Sequence, residues 1–399
     1  MTAGDSLVDH LNLLIDLHIE ADRQGPGGEA QTRRAIELSG LSNQRSLKVA
    51  DIGCGTGAST LVLARELDAQ ITAVDSLSDF LEVLRSRAAQ AGLADRIGTV
   101  SASMDMLPFE AGSLDAIWSE GAIYNMGFEH GVRQWRRLLK PGGILAVSEL
   151  TWLTASRPAE LEEHWHAQYA EVGTASSKLA MLEHNGYAPL GYFVLAESCW
   201  LDDYYGPMRQ SFPAFLARQA MTVDHISNGR LDLGLGAGAP GAVDISYAMT
   251  GTPDWPAKER VDRFREVVEI VDQLLRNPES SYAGQYYQLK GTIMNPLPVQ
   301  QPRPPLMIGA NGPRMLKIVA RYADTWNTFG GVDIKSPNEM LTLTRARNAQ
   351  LDEYCAEIGR DPTTLRRSIL IYTEEEYVKM LSQPGAFDEI VKRYREIGI

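Results

Sequence analysis

An apolar run, Val49-Ala50-Asp51-Ile52, breaks into Gly53-Cys54-Gly55-Thr56-Gly57 and resumes with helical character from Ala58 to Leu67. This order predicts a strand, a glycine-rich turn and a helix. A second strand, Ile71 to Val74, ends in Asp75; Ile97 to Ala102 alternates as a third, and Asp115 to Ser119 is a short apolar fourth. A helix from Glu129 to Leu139 stops at Lys140-Pro141-Gly142-Gly143, before a strand from Ile144 to Leu150. A later helix carries His164, His166 and Tyr169, and another strand is expected around Tyr192 to Leu195.

Beyond Cys199 the pattern changes. Phe215 to Ile226 is helical and stops at Ser227-Asn228-Gly229-Arg230, ahead of a glycine-spaced strand from Leu231 to Gly238. Val261, Phe264, Val267, Val268, Val271, Leu274 and Leu275 keep helical spacing from Lys258 to Arg276, with Pro256 as a start signal. A hairpin around Ala283-Gly284 and a proline-rich loop from Pro296 to Pro305 precede a strand from Leu306 to Gly309. Helix and strand then alternate, so the fold class is α/β with parallel sheets.

The glycine turn carries the first chemistry. A chain that reverses from strand to helix beside a ligand needs positive φ and close backbone approach, which glycine supplies. The helix that follows aims its free N–H groups at the same turn, and Asp75 is placed to accept hydrogen bonds from ribose hydroxyls. Gly53, Gly55 and Ala58 also satisfy the dinucleotide fingerprint, so the glycines alone leave two cofactors open. Asp51 decides between them on charge. A carboxylate there repels a pyrophosphate and suits the ammonium of a methionine moiety.

On these residues the first half resembles the class I S-adenosylmethionine-dependent methyltransferases, of the small-molecule, quinone-biosynthesis-like branch. Arg23-Gln24-Gly25-Pro26-Gly27, Leu107-Pro108-Phe109, Asp115-Ala116-Ile117-Trp118-Ser119-Glu120-Gly121 and Leu138-Leu139-Lys140-Pro141-Gly142-Gly143 follow in family order. The resemblance implies a Rossmann-like sheet and cofactor contacts from Asp51, Gly53, Cys54, Gly55, Gly57, Asp75, Ser76, Ser103, Met104 and Ser119. Ser103 stands where the family usually carries an acid for the adenine amino group, and its hydroxyl accepts more weakly. Glu120 and Tyr124 are the candidate bases for a small-molecule acceptor, while a helix cap is the alternative role for Glu120. His164, His166 and Tyr169 are candidates for the acceptor pocket.

The second half resembles the luciferase-like flavin or deazaflavin oxidoreductases, which are TIM barrels. Thr222 to Arg230, Gly234-Leu235-Gly236-Ala237-Gly238, Pro302 to Gly309 and Ala320-Arg321-Tyr322-Ala323-Asp324 with Trp326 carry the match. It implies a phosphate-binding turn at Gly309, Asn311 and Gly312, for FMN or a deazaflavin; a ligand-free strand-to-helix turn is the alternative. Only four barrel strands are expected, Leu231 to Gly236, Leu306 to Gly309, Thr325 to Asn327 and Ser368 to Tyr372, where closure takes eight. The methyltransferase half lacks its family's closing strand. The expected organisation is therefore a fusion of partial domains, 1–212 and 213–399, recombined or truncated. Methyl transfer is the expected activity. A C-terminal oxidoreductase and a non-catalytic fusion that self-associates through exposed strand edges are the alternatives.

Composition narrows the partners. A chain of 399 residues with 44% hydrophobic content supports two or three domains. The net charge of -13 argues against nucleic acid. Three cysteines, Cys54, Cys199 and Cys355, suggest a reducing compartment, the cytoplasm. The start of the chain has no basic region, and Asp9, His10, Asn12 and Asp16 interrupt its apolar run. Neither a signal peptide nor a membrane span is expected, but an amphipathic helix that lids the cofactor site is. No metal site is expected.

Overall fold

The structure, a computed structural model, describes residues 15, 17–239, 253–329, 336–370, 382 and 384–399. The expected N-terminal lid helix falls almost wholly outside them. The chain divides into two compact units, Met1–Ser211 and Phe212–Ile399.

In the first unit, β1 (Leu47–Ile52) is buried at all but one position, as a central parallel strand covered on both faces must be. It pairs in parallel with β2 (Ala69–Asp75) on one side and β4 (Leu114–Ser119) on the other. Outside these lie β3 (Ile97–Ser101) and β5 (Leu139–Val147), giving the order β3-β2-β1-β4-β5. Successive side chains of β1 point to opposite layers. Val49 joins Ile36, Val62 and Leu63 in one core, while Ala50 and Ile52 join Ile123, Phe128 and Trp135 in the other. Strand order reverses between β1 and β4, and ligands in such sheets bind at the carboxyl ends beside that switch point.

Two expectations fail in this unit. The helix Phe128–Arg136 ends earlier than Leu139, and Lys140 to Gly143 is absorbed into an irregular start of β5. The register shifts between the pairs Leu114↔Leu139 and Ala116↔Ile144, while Lys140 Nζ anchors the bulge on Asp115 Oδ1 at 2.6 Å. Tyr192 to Leu195 is not a strand. Tyr192 and Val194 are exposed, and Phe193 packs under the Arg34 guanidinium, 5.4 Å from its ring centre. A strand is expected there, but no sheet edge pairs with it among the described residues. A two-residue parallel pair, β6 (Thr151–Trp152) with β7 (Gly173–Thr174), follows β5.

The second unit holds a parallel sheet of β8 (Leu233–Leu235), β11 (Leu306–Gly309), β12 (Thr325–Thr328) and β13 (Arg366–Ile369), in the order β13-β12-β11-β8. These are the four strands expected, β11 with the expected bounds and the other three shifted at their ends; residues 371 and 372 lie outside the described set. The helix Ala257–Arg276 buries Val268, Val271, Leu274 and Leu275 against Leu306, Ile308 and Trp326. The hairpin β9 (Glu279–Ala283) with β10 (Gln288–Ile293) turns around buried Glu266, which accepts the N–H groups of Gln285, Tyr286 and Tyr287 at 2.9, 2.9 and 3.1 Å. Gly284 is needed there because a Cβ would lie 2.2 Å from Glu266 Oε2. Buried Arg303 ties Asp272 and Asp324, each at 2.6 Å, beneath the start of β11.

Candidate active site

The turn after β1 is wound as the sequence requires. Gly53, Gly55 and Gly57 take φ values of 72°, 54° and 91°. A Cβ on Gly53 would stand 2.2 Å from Ala122 Cβ, and one on Gly57 would stand 2.1 Å from Leu84 Cδ1. Val74 O accepts the N–H groups of Gly53 and Cys54 at 2.8 and 3.1 Å, which binds the turn to β2. Asp75 then closes the cradle, accepting Gly55 N–H on Oδ2 and Leu77 N–H on Oδ1, each at 2.9 Å. Burial raises its pKa against the backbone N–H groups that favour the charge. Ser76 beside it is exposed.

Asp51 sits beneath the turn, wholly buried. Its Oδ2 accepts the hydroxyls of Ser59 at 2.8 Å and Thr60 at 2.6 Å, both from the helix Ala58–Glu66. Its Oδ1 is buried with no partner among the described residues. Burial pushes the carboxyl up to about 7, the two hydroxyls pull it down, and Glu120 adds to the rise. The Cys54 thiol is also pushed up by burial and by Asp51 and Asp75, so it is no thiolate at neutral pH.

The opposite wall comes from residues far away in sequence. Glu120, just past β4, accepts Arg23 Nη1 at 2.5 Å, Thr32 Oγ1 at 2.8 Å and Trp118 Nε1 at 2.8 Å. It caps no helix; it clamps the Arg23 to Gly27 strap onto the sheet. Gln24 in that strap accepts Thr56 N–H at 2.9 Å, and its amide nitrogen reaches Thr56 Oγ1 at 2.9 Å. A Cβ on Gly55 would fall 2.0 Å from Gln24 Oε1. Arg23, Gln24, Gly25 and Pro26 thus roof a cavity of about 50 Å³ whose floor is Gly53, Cys54, Ala58 and Ser59 and whose side is Glu120 and Gly121.

The remaining predicted residues distribute around this cleft. Ser119 is buried, with its hydroxyl donated to Ile52 O at 2.8 Å, so it stitches β4 to β1. Met104 approaches the turn, its Cε 3.9 Å from a Cβ built on Gly53. Ser103 is exposed, and its hydroxyl receives Asp105 N–H at 3.4 Å. Tyr124 stands 40% exposed, with its ring edge-on to Tyr169 at 6.1 Å. His164 and His166 are exposed on the helix Ala159–Gln168. Sequence reasoning named Tyr169 but missed the partners of Glu120 and the buried pair Glu149 and Lys178 beside Tyr169; a lysine among apolar residues in the helix Ala175–His184 was the one available signal for that pair.

In the second unit, Gly309 ends β11 and Gly312 precedes the helix Pro313–Tyr322. Asn311 Oδ1 accepts Thr328 Oγ1 at 2.8 Å and Arg347 Nη1 at 3.3 Å. Burial lowers the Arg347 pKa. Among the described residues no group of three or more His, Cys, Asp or Glu could hold a metal ion, and no helix is long and apolar enough to cross a membrane.

Residues 49–143 match the family model described as a methyltransferase domain, and residues 209–373 match that of the luciferase-like monooxygenases. The chain joins a methyltransferase domain to a luciferase-like segment. A Streptomyces halstedii protein named methyltransferase GfsG is 33% identical over 130 residues, 32% of this chain and 46% of the relative. A Microbacterium testaceum protein named F420-dependent glucose-6-phosphate dehydrogenase is 29% identical over 155 residues, 39% of this chain and 42% of the relative. The chain spans about half the length, or less, of these curated relatives. The geranyl diphosphate C-methyltransferase structure from Streptomyces coelicolor A3(2) is 18% identical with a TM-score of 0.36, covering 41% of this chain and 63% of that one. The methyltransferase match fits S-adenosylmethionine as that domain's cofactor, and the luciferase-like segment is similar to F420- or flavin-dependent relatives, a family of TIM-barrel type.

Proposed function

We propose that this chain methylates a small-molecule acceptor with S-adenosylmethionine held over the β1 turn. The observation that carries the proposal is Asp51 Oδ1, a buried carboxylate oxygen with no partner beside a cradle that only glycine fits. An ammonium group, direct or through water, completes that oxygen, whereas a pyrophosphate is repelled by it. Asp75 keeps lone pairs on both oxygens after accepting one N–H each, which suits ribose hydroxyls. Met104 covers the adenine side, and Ser103 accepts there more weakly than an acid.

When bound, the cofactor supplies a methyl group on a sulfonium, an excellent leaving group. The chain's own residues orient and exclude water. Arg23, Gln24 and Pro26 shut the cleft from above, and Glu120 holds them there. With three donors on its carboxylate, Glu120 acts as a positioning residue rather than a free base. Tyr124, 40% exposed beside Tyr169, is the remaining candidate for the acceptor side. Equilibrium dialysis with labelled S-adenosylmethionine tests the proposal: saturable binding to the full chain, weakened at least tenfold in Asp75→Ala, is expected. Equal binding by the variant would refute it.

A second reading assigns FMN or deazaflavin binding to the Gly309, Asn311 and Gly312 turn, favoured by Arg347 beside Asn311. The outer edges of β8 and β13 carry no partner strand among the described residues, and self-association through them belongs to this reading. Neither nucleic acid nor membrane is a proposed partner. Three buried, unpaired cysteines favour the cytoplasm.

A further inference from the structure

Past the end of β5 a second set of charges is buried. The side chains of Glu149 and Lys178 are 6% and 5% exposed, and Lys178 Nζ lies 2.6 Å from Glu149 Oε1. The Tyr169 hydroxyl donates to that same oxygen at 2.6 Å. Lys178 also lies over the rings of Phe128 and Tyr169, 4.6 and 5.1 Å from their centres. One carboxylate oxygen therefore takes two donors. The other, Oε2, is equally buried and takes none among the described residues. A sealed oxygen without a donor is costly, and the folded chain carries that cost beside a ligand cleft.

The connection to the cleft is short. Gly121, which lines the cofactor cavity, donates its N–H to Ser148 Oγ at 2.7 Å, and Glu149 is the next residue. On the other flank Tyr169 meets the exposed Tyr124 ring edge-on. Tyr204 and Tyr205, 5.1 Å apart in the π-helical turn Leu201–Tyr205, a geometry frequent at functional sites, add aromatic surface together with Trp200 just before it, 6.1 Å from Tyr205.

We propose that Glu149 Oε2 receives the hydroxyl of a flat aromatic acceptor, a phenol, seated against Tyr124 and Tyr169, with Lys178 and the Tyr169 hydroxyl fixing the carboxylate. This rests on the methyltransferase reading and names its acceptor class. Lys178 neutralises Glu149, so a cation gains little from the pair, and an anion would face a bare oxygen. A neutral O–H donor on a ring that packs edge-on or offset against tyrosines meets both conditions.

The probe is 4-nitrophenol, whose phenolate is yellow and whose phenol is not. In the full chain with S-adenosylhomocysteine present, binding near neutral pH should bleach the yellow band, because the bound molecule keeps its proton for Oε2. Glu149→Gln should weaken that binding about tenfold or more and abolish the bleaching, and Tyr169→Phe should weaken it about threefold. S-adenosylhomocysteine binding should be unchanged in both, which also reports that each variant is folded; if Glu149→Gln does not fold, Tyr169→Phe carries the test. A folded chain that binds S-adenosylhomocysteine but not 4-nitrophenol overturns the proposal. So does undiminished 4-nitrophenol binding in Glu149→Gln, or in Tyr169→Phe where that is the variant tested; Oε2 would then hold a water. Glu149-dependent binding of 4-nitrophenol without any S-adenosylhomocysteine binding would keep the phenol site and discard the methyltransferase reading.

Discussion

Asp51→Asn should stabilise the ligand-free chain at alkaline pH while removing its cofactor anchor. Asp51 is buried with a pKa of about 7, against 3.8 for an ordinary aspartate. The folded chain therefore holds a proton over this interval that the unfolded chain has released, and stability falls as pH rises through it. At about 1.4 kcal/mol per pH unit the whole interval is worth roughly 4 kcal/mol, of which roughly 3 kcal/mol lies between about pH 5 and about pH 8. Asparagine carries no such dependence. It can accept the Ser59 and Thr60 hydroxyls, but its buried NH₂ lacks a partner, at a cost of about 1–2 kcal/mol. The variant should be no more than about 1 kcal/mol less stable than the wild type near pH 5 and more stable by about 2–3 kcal/mol near pH 8. With two units in one chain, global unfolding is not a two-state measure. Native-state hydrogen exchange of the β1 amides, compared between the proteins at both pH values, reads the first unit directly. A difference that does not change with pH, or a wild type that gains on the variant as pH rises, would refute the placement of Asp51 as a buried, uncompensated carboxyl.

Gly55→Ala combines a φ of 54° with a Cβ 2.0 Å from Gln24 Oε1. It should cost about 1–3 kcal/mol and release the strap, seen as faster exchange at Gln24 to Gly28. Arg23→Ala leaves the Glu120 carboxylate short of its shortest donor and should lower the melting temperature of the first unit while speeding cofactor dissociation several-fold, measured by stopped flow; unchanged dissociation would detach the strap from the cleft. If the luciferase-like segment binds its cofactor, purified chain should take up FMN or a deazaflavin with a change in visible absorbance, weakened in Asn311→Ala; no uptake of either would leave the segment without that role.

Short-range chemistry was legible in the sequence. The glycine turn, Asp51 and Asp75 lie within one strand-turn-helix-strand unit, so spacing alone places them together. In the second unit β8 and β11 were legible as short apolar runs, whereas Thr325–Thr328 and Arg366–Ile369 are mostly polar and were placed by the alternation of helix and strand. What stayed hidden depends on contacts made by folding. Glu120 meets Arg23 across 97 residues and Thr32 across 88, and no local pattern marks a clamp of that kind. Glu149, in the loop after β5, and Lys178, in the helix Ala175–His184, are 29 residues apart. The strand expected at Tyr192 to Leu195 shows the converse: an apolar segment alone does not make a strand without a partner edge.

The central claim is that the β1 cleft takes S-adenosylmethionine rather than a dinucleotide. Isothermal titration of the full chain with S-adenosylhomocysteine, and separately with NADH, tests it most directly. One site per chain for S-adenosylhomocysteine, lost in Asp75→Ala, and no heat with NADH are predicted. NADH binding in place of S-adenosylhomocysteine, by protein whose circular dichroism shows it folded, would contradict the role given to Asp51 and the function built on it.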